Sequence, residues 1–124
     1  MSERQIFSVN CPVGTLAGSL VAPIWRVPAS ENAFGGVSIT GAYISSSAGT
    51  LTSELQLLSG TTLGTATTGT IGTCNATIAV NVPKAFTIGT AYVASGSWVH
   101  IKTNAGMAAL PATNSVLIEY VWGK

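Results

Sequence analysis

The run Ser115-Val-Leu-Ile-Glu-Tyr-Val-Trp122, close to the C-terminus, constrains the fold more than any other stretch. Side chains alternate across an extended strand, so Val116, Ile118, Tyr120 and Trp122 would share one face. The other face would carry Leu117, Glu119 and Val121, apolar around a single charge. A strand apolar on both faces belongs inside a sheet rather than at its edge. A second strand, Ser97-Trp-Val-His-Ile-Lys-Thr103, precedes it across a loop of small residues from Asn104 to Asn114. Both strands need partners from earlier in the chain.

Composition says what kind of partners these are. Charged residues make up 7% of the 124 positions, against about 25% in a typical soluble protein. Polarity is carried by Thr, Ser, Asn and Gly, which suit strands and turns better than exposed helices. The fold expected is all-β, an antiparallel β-sandwich of jelly-roll type with about eight strands. The length suits one domain.

Alternation locates most of the strands. In 37–44, Val37, Ile39 and Tyr43 share one parity, and Gly41 marks a possible bulge. Leu51-Thr-Ser-Glu-Leu-Gln-Leu57 is the cleanest half-buried strand, with Leu51, Leu55 and Leu57 inward. Ser59 to Thr73 is almost entirely Gly and Thr and reads as a long projecting loop or loose β-ribbon. From Asn75 to Val82 the alternation returns, with Ala76, Ile78, Val80 and Val82 inward. Phe86-Thr-Ile88 and Ala91-Tyr-Val-Ala94 are further short pieces. The expected core includes Val37, Ile39, Leu55, Leu57, Ile78, Val80, Ile101, Ile118 and Tyr120.

The first thirty residues carry weaker signals, interrupted by Pro12, Pro23 and Pro28. They read as an extended N-terminal arm or edge segment, 1–30, ahead of a sandwich domain, 31–124. Trp25, flanked by Ile24 and Val27, is the natural partner-binding anchor in that arm, since buried aromatics dominate interface energies. The N-terminus lacks the basic and apolar regions of a signal peptide, so synthesis in the cytoplasm is expected. Cys11 to Pro28 is apolar but too broken by Pro, Gly and Arg26 for a spanning helix. Cys11 and Cys74 match no metal-ligand spacing, and two buried free thiols are expected ahead of a disulfide.

Chemistry is sparse. There is one histidine, His100, and no aspartate; the acids are Glu3, Glu31, Glu54 and Glu119. A nucleophile–base–acid triad, a metal centre or a glycosidase carboxylate pair has little to draw on. No enzyme, cofactor or metal is expected. A net charge of +1 gives no footprint for nucleic acid or an anionic membrane. So little charge favours self-association, which points to a chain that works inside an assembly; an uncharged hydrophilic surface is the plainer alternative. The aromatics Trp25, Trp98, Trp122, Tyr43 and Tyr92 fit core or interface anchors, or else a sugar-stacking platform.

The segments Val-Ser-Ile-Thr-Gly-Ala-Tyr-Ile (37–44), Leu-Thr-Ser-Glu-Leu-Gln-Leu (51–57), the Gly/Thr loop and Gly-Ser-Trp-Val-His-Ile-Lys-Thr (96–103) carry a resemblance. Over about two-thirds of the chain the pattern resembles the small jelly-roll proteins of tailed-phage virions, in the style of capsid decoration (cement) proteins. It is a likeness of pattern and composition and transfers no functional residue. It implies a non-enzymatic virion component, homotrimeric in many cases, that sits on the capsid surface and binds the major capsid protein. The alternative from another class is a carbohydrate- or receptor-binding module of a phage fibre or tail.

Overall fold

The structure is a computed structural model that describes residues 6–13, 21–28, 35–46, 55–63, 69–74, 81–103 and 114–123. Every regular element among them is a strand: β1 (Phe7–Val13), β2 (Val21–Arg26), β3 (Gly36–Ser46), β4 (Leu55–Gly60), β5 (Thr70–Cys74), β6 (Lys84–Ala85), β7 (Thr87–Ile88), β8 (Tyr92–Ala94), β9 (Trp98–Thr103) and β10 (Asn114–Trp122). They form two antiparallel sheets of five strands each. The first runs β1-β10-β3, with β6 and β8 side by side along the far edge of β3. The second runs β2-β9-β4-β5-β7. The chain is an all-β sandwich.

β10 lies between β1 and β3, as its two apolar faces require. Its inward residues Val116 and Ile118 meet Ile44 and Ala42 across the sheet. From the second sheet Leu55, Leu57, Val99 and Ile101 complete the core. Each such aliphatic side chain removed from water contributes roughly 1.5–3 kcal/mol. Of the expected core, Val37, Ile39, Leu55, Leu57, Ile101 and Ile118 are buried. Tyr120 is half-buried against the cluster. Ile78 and Val80 lie outside the described residues, as does the first half of the expected strand at 51–57.

Two bulges set which residues reach the core. Glu119 pairs with Gly41 and Tyr120 with Ile39, which leaves Thr40 as an extra residue in β3. One extra residue reverses the alternation beyond it. Val37 and Ile39 therefore point inward, as do Ala42 and Ile44. Tyr43, which has the parity of Val37 and Ile39 in the sequence, points out. In β5 the register slips between Leu57 and Leu58, and Ile71 enters the core as the unmatched residue. The loop expected over 59–73 is thus corrected at both ends, since Ser59 and Gly60 belong to β4 and Thr70–Thr73 to β5. Val82, expected inward, is 54% exposed. It follows Asn81, whose φ of 58° turns the backbone left-handed and stops any strand there.

One flank of the sandwich is closed by a single run of chain. Residues 84–85 pair with β3 and the Phe86 N–H donates to the Ala42 carbonyl at 2.8 Å. The chain then crosses, and Thr87 and Ile88 pair with Thr73 and Gly72 of the second sheet. The Ile39 N–H donates to Ala91 at 2.9 Å as the run returns to β3, where Tyr92–Ala94 pair with Gly36–Ser38. Gly72 permits the crossing: a β-carbon there would sit 2.7 Å from the Thr87 carbonyl oxygen. The opposite flank is formed by the edge strands β1 and β2, one per sheet. The first thirty residues supply these two edges, and Cys11, Val13 and Val27 belong to the core.

Candidate functional site

Among the described residues no strand joins the sheets on the flank between β1 and β2, and aromatic rings occupy it. Register places Phe7 directly across from Tyr120, and their ring centroids lie 5.8 Å apart. Trp25 reaches in from the second sheet to within 4.9 Å of the same Tyr120 ring. Trp122 meets Tyr120 edge-on at 6.2 Å. Tilted and edge-on rings at such spacings each add about 0.5–1.5 kcal/mol beyond area burial. Beside them the Arg26 guanidinium lies 5.8 Å from the centre of the Trp98 ring. The three tryptophans thus gather at the end of the sandwich where the described chain begins and ends.

The sequence-derived anchor residues separate in the structure. Val27 is 0% exposed and is part of this chain's own core. Its N–H donates to the Ser97 carbonyl and its carbonyl accepts from the Gly96 N–H, both at 2.9 Å. Ile24 and Trp25 are half-buried and pack on the core. The residues that do present apolar surface at this end are Ile6, 62% exposed, and Phe7, 40% exposed. Sequence reasoning passed over both, because two apolar residues at the start of a short strand carry no signal of which flank they will meet.

The backbone of this flank is guarded. Pro12 lies in β1 and Pro23 in β2, each in an edge strand. A proline fits an antiparallel edge only with its nitrogen on the free side. On β1 the groups of Ser8, Asn10 and Pro12 therefore face outward, and the run of donors breaks at Pro12. On β2 the break at Pro23 is followed by a register shift before Trp25. Neither edge offers an uninterrupted ladder to an incoming strand. A partner at this flank must use side chains.

The remaining reactive groups are buried. His100 is 0% exposed, on the outward side of β9 opposite Leu58, and burial pulls its pKa below the ordinary 6.5. Burial pushes the Cys11 thiol up to about 11. It raises Cys74 as well, against a smaller opposing pull from Lys84. Both cysteines are free thiols. They behave as small hydrophobes, since the thiolate is the reactive form and both sites disfavour it. No group of three or more potential metal ligands occurs among the described residues.

No protein-family model, curated protein or solved structure matches the chain.

Proposed function

We propose that the chain is a non-enzymatic structural protein of a virion, a capsid decoration subunit that binds the shell as a homo-oligomer and stabilises it. The observation that carries this reading is the strand order. β1 pairs with β10, β2 with β9, β3 with β6 and β8, and β4 with β5. The further pairs β10 with β3 and β9 with β4 roll that four-runged ribbon into two sheets. Counting 84–94 as one strand, although Thr87 and Ile88 pair with the second sheet, we read this order as a jelly-roll winding, an architecture of viral capsid and lectin domains. Sparse charge supports the same reading, because apolar contacts keep their strength over a range of salt.

In this reading Ile6 and Phe7, backed by the ring cluster of Trp25, Tyr120 and Trp122, make the contact, and Ile24 supports the flank by packing against the core. The trimer and the major capsid protein as partner follow from the likeness to decoration proteins. Because β1 and β2 are sheet strands, point substitutions are the proper probe and truncation is not. The test is co-sedimentation with undecorated capsids, with melting curves and sedimentation velocity alongside. Wild type should pellet with the shells and raise their melting temperature. An Ile6→Ser/Phe7→Ser variant should bind about tenfold more weakly with its own fold intact, given the area of two apolar side chains. Wild-type protein that stays in the supernatant overturns the reading.

A further inference from the structure

At the tryptophan-rich end of the second sheet one cation is held in place and left without a counter-charge. Arg26, the last residue of β2, pairs with Trp98, the first of β9, which pairs in turn with Gly60. The next residue, Val27, exchanges backbone hydrogen bonds with Gly96 and Ser97, both at 2.9 Å. The turn between β8 and β9 is thereby tied to the root of the Arg26 side chain. Gly96 sits in that turn at a φ of 82°, which glycine adopts freely. Its carbonyl accepts from the Arg26 Nε at 3.4 Å, and the Trp98 ring faces the guanidinium at 5.8 Å. Backbone at one edge and indole at one face set the direction of the planar fork. Its terminal nitrogens Nη1 and Nη2 have no hydrogen-bond or ionic partner among the described residues. Arg26 is exposed. Glu119, the only acid among the described residues, belongs to the other sheet.

We propose that Arg26 and Trp98 seat a carboxylate from a partner protein, an Asp or Glu side chain flanked by apolar residues. This deepens the decoration reading and rests on it for the owner of the segment, the shell protein. A carboxylate matches the open side of the guanidinium with two parallel hydrogen bonds. The surroundings suit its apolar neighbours: Trp98 is half-buried, and Leu63, three residues beyond Gly60, is 56% exposed. Ile6 and Phe7 lie at the same end of the sandwich. Phosphate and polyanions would call for more than one cation. Lys102 is four residues along β9 from Trp98, roughly 13 Å away, and Lys84 is on the first sheet. One oriented arginine among apolar groups fits a monoanion carried on a protein. The broken ladders of the edge strands leave such a segment to be held through its side chains.

The experiment is NMR titration of the full chain with two capped tripeptides, acetyl-Leu-Asp-Leu-amide and acetyl-Leu-Asn-Leu-amide. The Asp peptide should bind with a Kd on the order of 5 mM and shift the Gly96 amide and the Trp98 indole N–H. The Asn peptide should bind about fivefold more weakly, the upper range for an exposed pair of bidentate geometry. Arg26→Gln should abolish that preference with the melting curve unchanged. Arg26→Lys should keep about twofold of it, because an ammonium has the charge without the fork. The preference should shrink in roughly 0.5 M salt, where exposed charges are screened. Equal binding of the two peptides overturns the proposal, as does a preference that survives Arg26→Gln. Shifts confined to Ile6 and Phe7 overturn it too. With undecorated capsids, Arg26→Gln should pellet about fivefold more weakly than wild type at low salt. Equal pelleting overturns the assignment of the segment to the shell. Wild type that does not pellet refutes the decoration reading, and the peptide pair still decides the carboxylate seat.

Discussion

Trp25 of β2 and Tyr120 of β10 meet at a tilt with ring centroids 4.9 Å apart, and the pair joins the two sheets on the flank where no described strand crosses. The other flank is sealed by backbone hydrogen bonds from 84–94. On this one the Trp25 and Tyr120 rings link them through side chains. A double-mutant cycle of Trp25→Ala and Tyr120→Ala, followed by urea denaturation, should give a coupling energy of about 1 kcal/mol. Strict additivity would show that the rings merely share a neighbourhood.

Adjacent positions on β10 should differ sharply. Ile118 is fully buried and faces the second sheet, whereas Leu117 is partly exposed on the outer face. Ile118→Ala should cost about 2–5 kcal/mol and Leu117→Ala under about 1. Equal costs in denaturant titrations would mean that the register of β10 is wrong.

Gly72 should be needed for the crossing strand. An alanine there brings its β-carbon against the Thr87 carbonyl oxygen, a backbone atom with little room to yield. We expect a loss of about 1–3 kcal/mol. The damage should be local at first. The amides of Gly89 and Thr90, which both donate to the Ile71 carbonyl, should lose hydrogen-exchange protection before β10 does.

Stability should fall at both ends of the pH scale. Burial holds His100 below its ordinary 6.5, so the unfolded chain binds more protons once the pH drops below that value. The stabilisation present above 6.5 is therefore lost as the pH falls towards the folded pKa. Cys11 works in the opposite sense, raised from 9.0 to about 11. Between those values the unfolded chain loses the proton first, and stability declines as the pH rises. Melting temperatures from pH 5 to 10, roughly the range of these groups, should therefore peak between the two limbs. His100→Asn should flatten the acid limb and Cys11→Ala the alkaline one. A variant that leaves its own limb unchanged would exclude that residue as the cause.

What could be read from the sequence was local. Alternation in 37–39, 55–57, 97–103 and 115–122 is a property of neighbouring residues, so strands and inward faces follow from it directly. The shortage of charge and of helix-forming residues made the class all-β. The two apolar faces of Ser115–Trp122 made it a central strand. Tertiary pairing decided the rest. A single unmatched residue, Thr40, put Tyr43 on the opposite face from Val37 and Ile39, and another carried Ile71 into the core from a segment that reads as loop. Val27, grouped with Trp25 as an anchor by sequence, went to the core. Ile6 and Phe7, with no pattern to mark them, came to the surface beside the rings. Glu119, Gly41 and Tyr43 are up to 78 positions apart in the chain, and only the pairing of β3 with β10 brings them together. Which face a residue takes depends on period-two geometry that one insertion reverses. Which strands become neighbours depends on contacts between distant segments, and no local pattern encodes those.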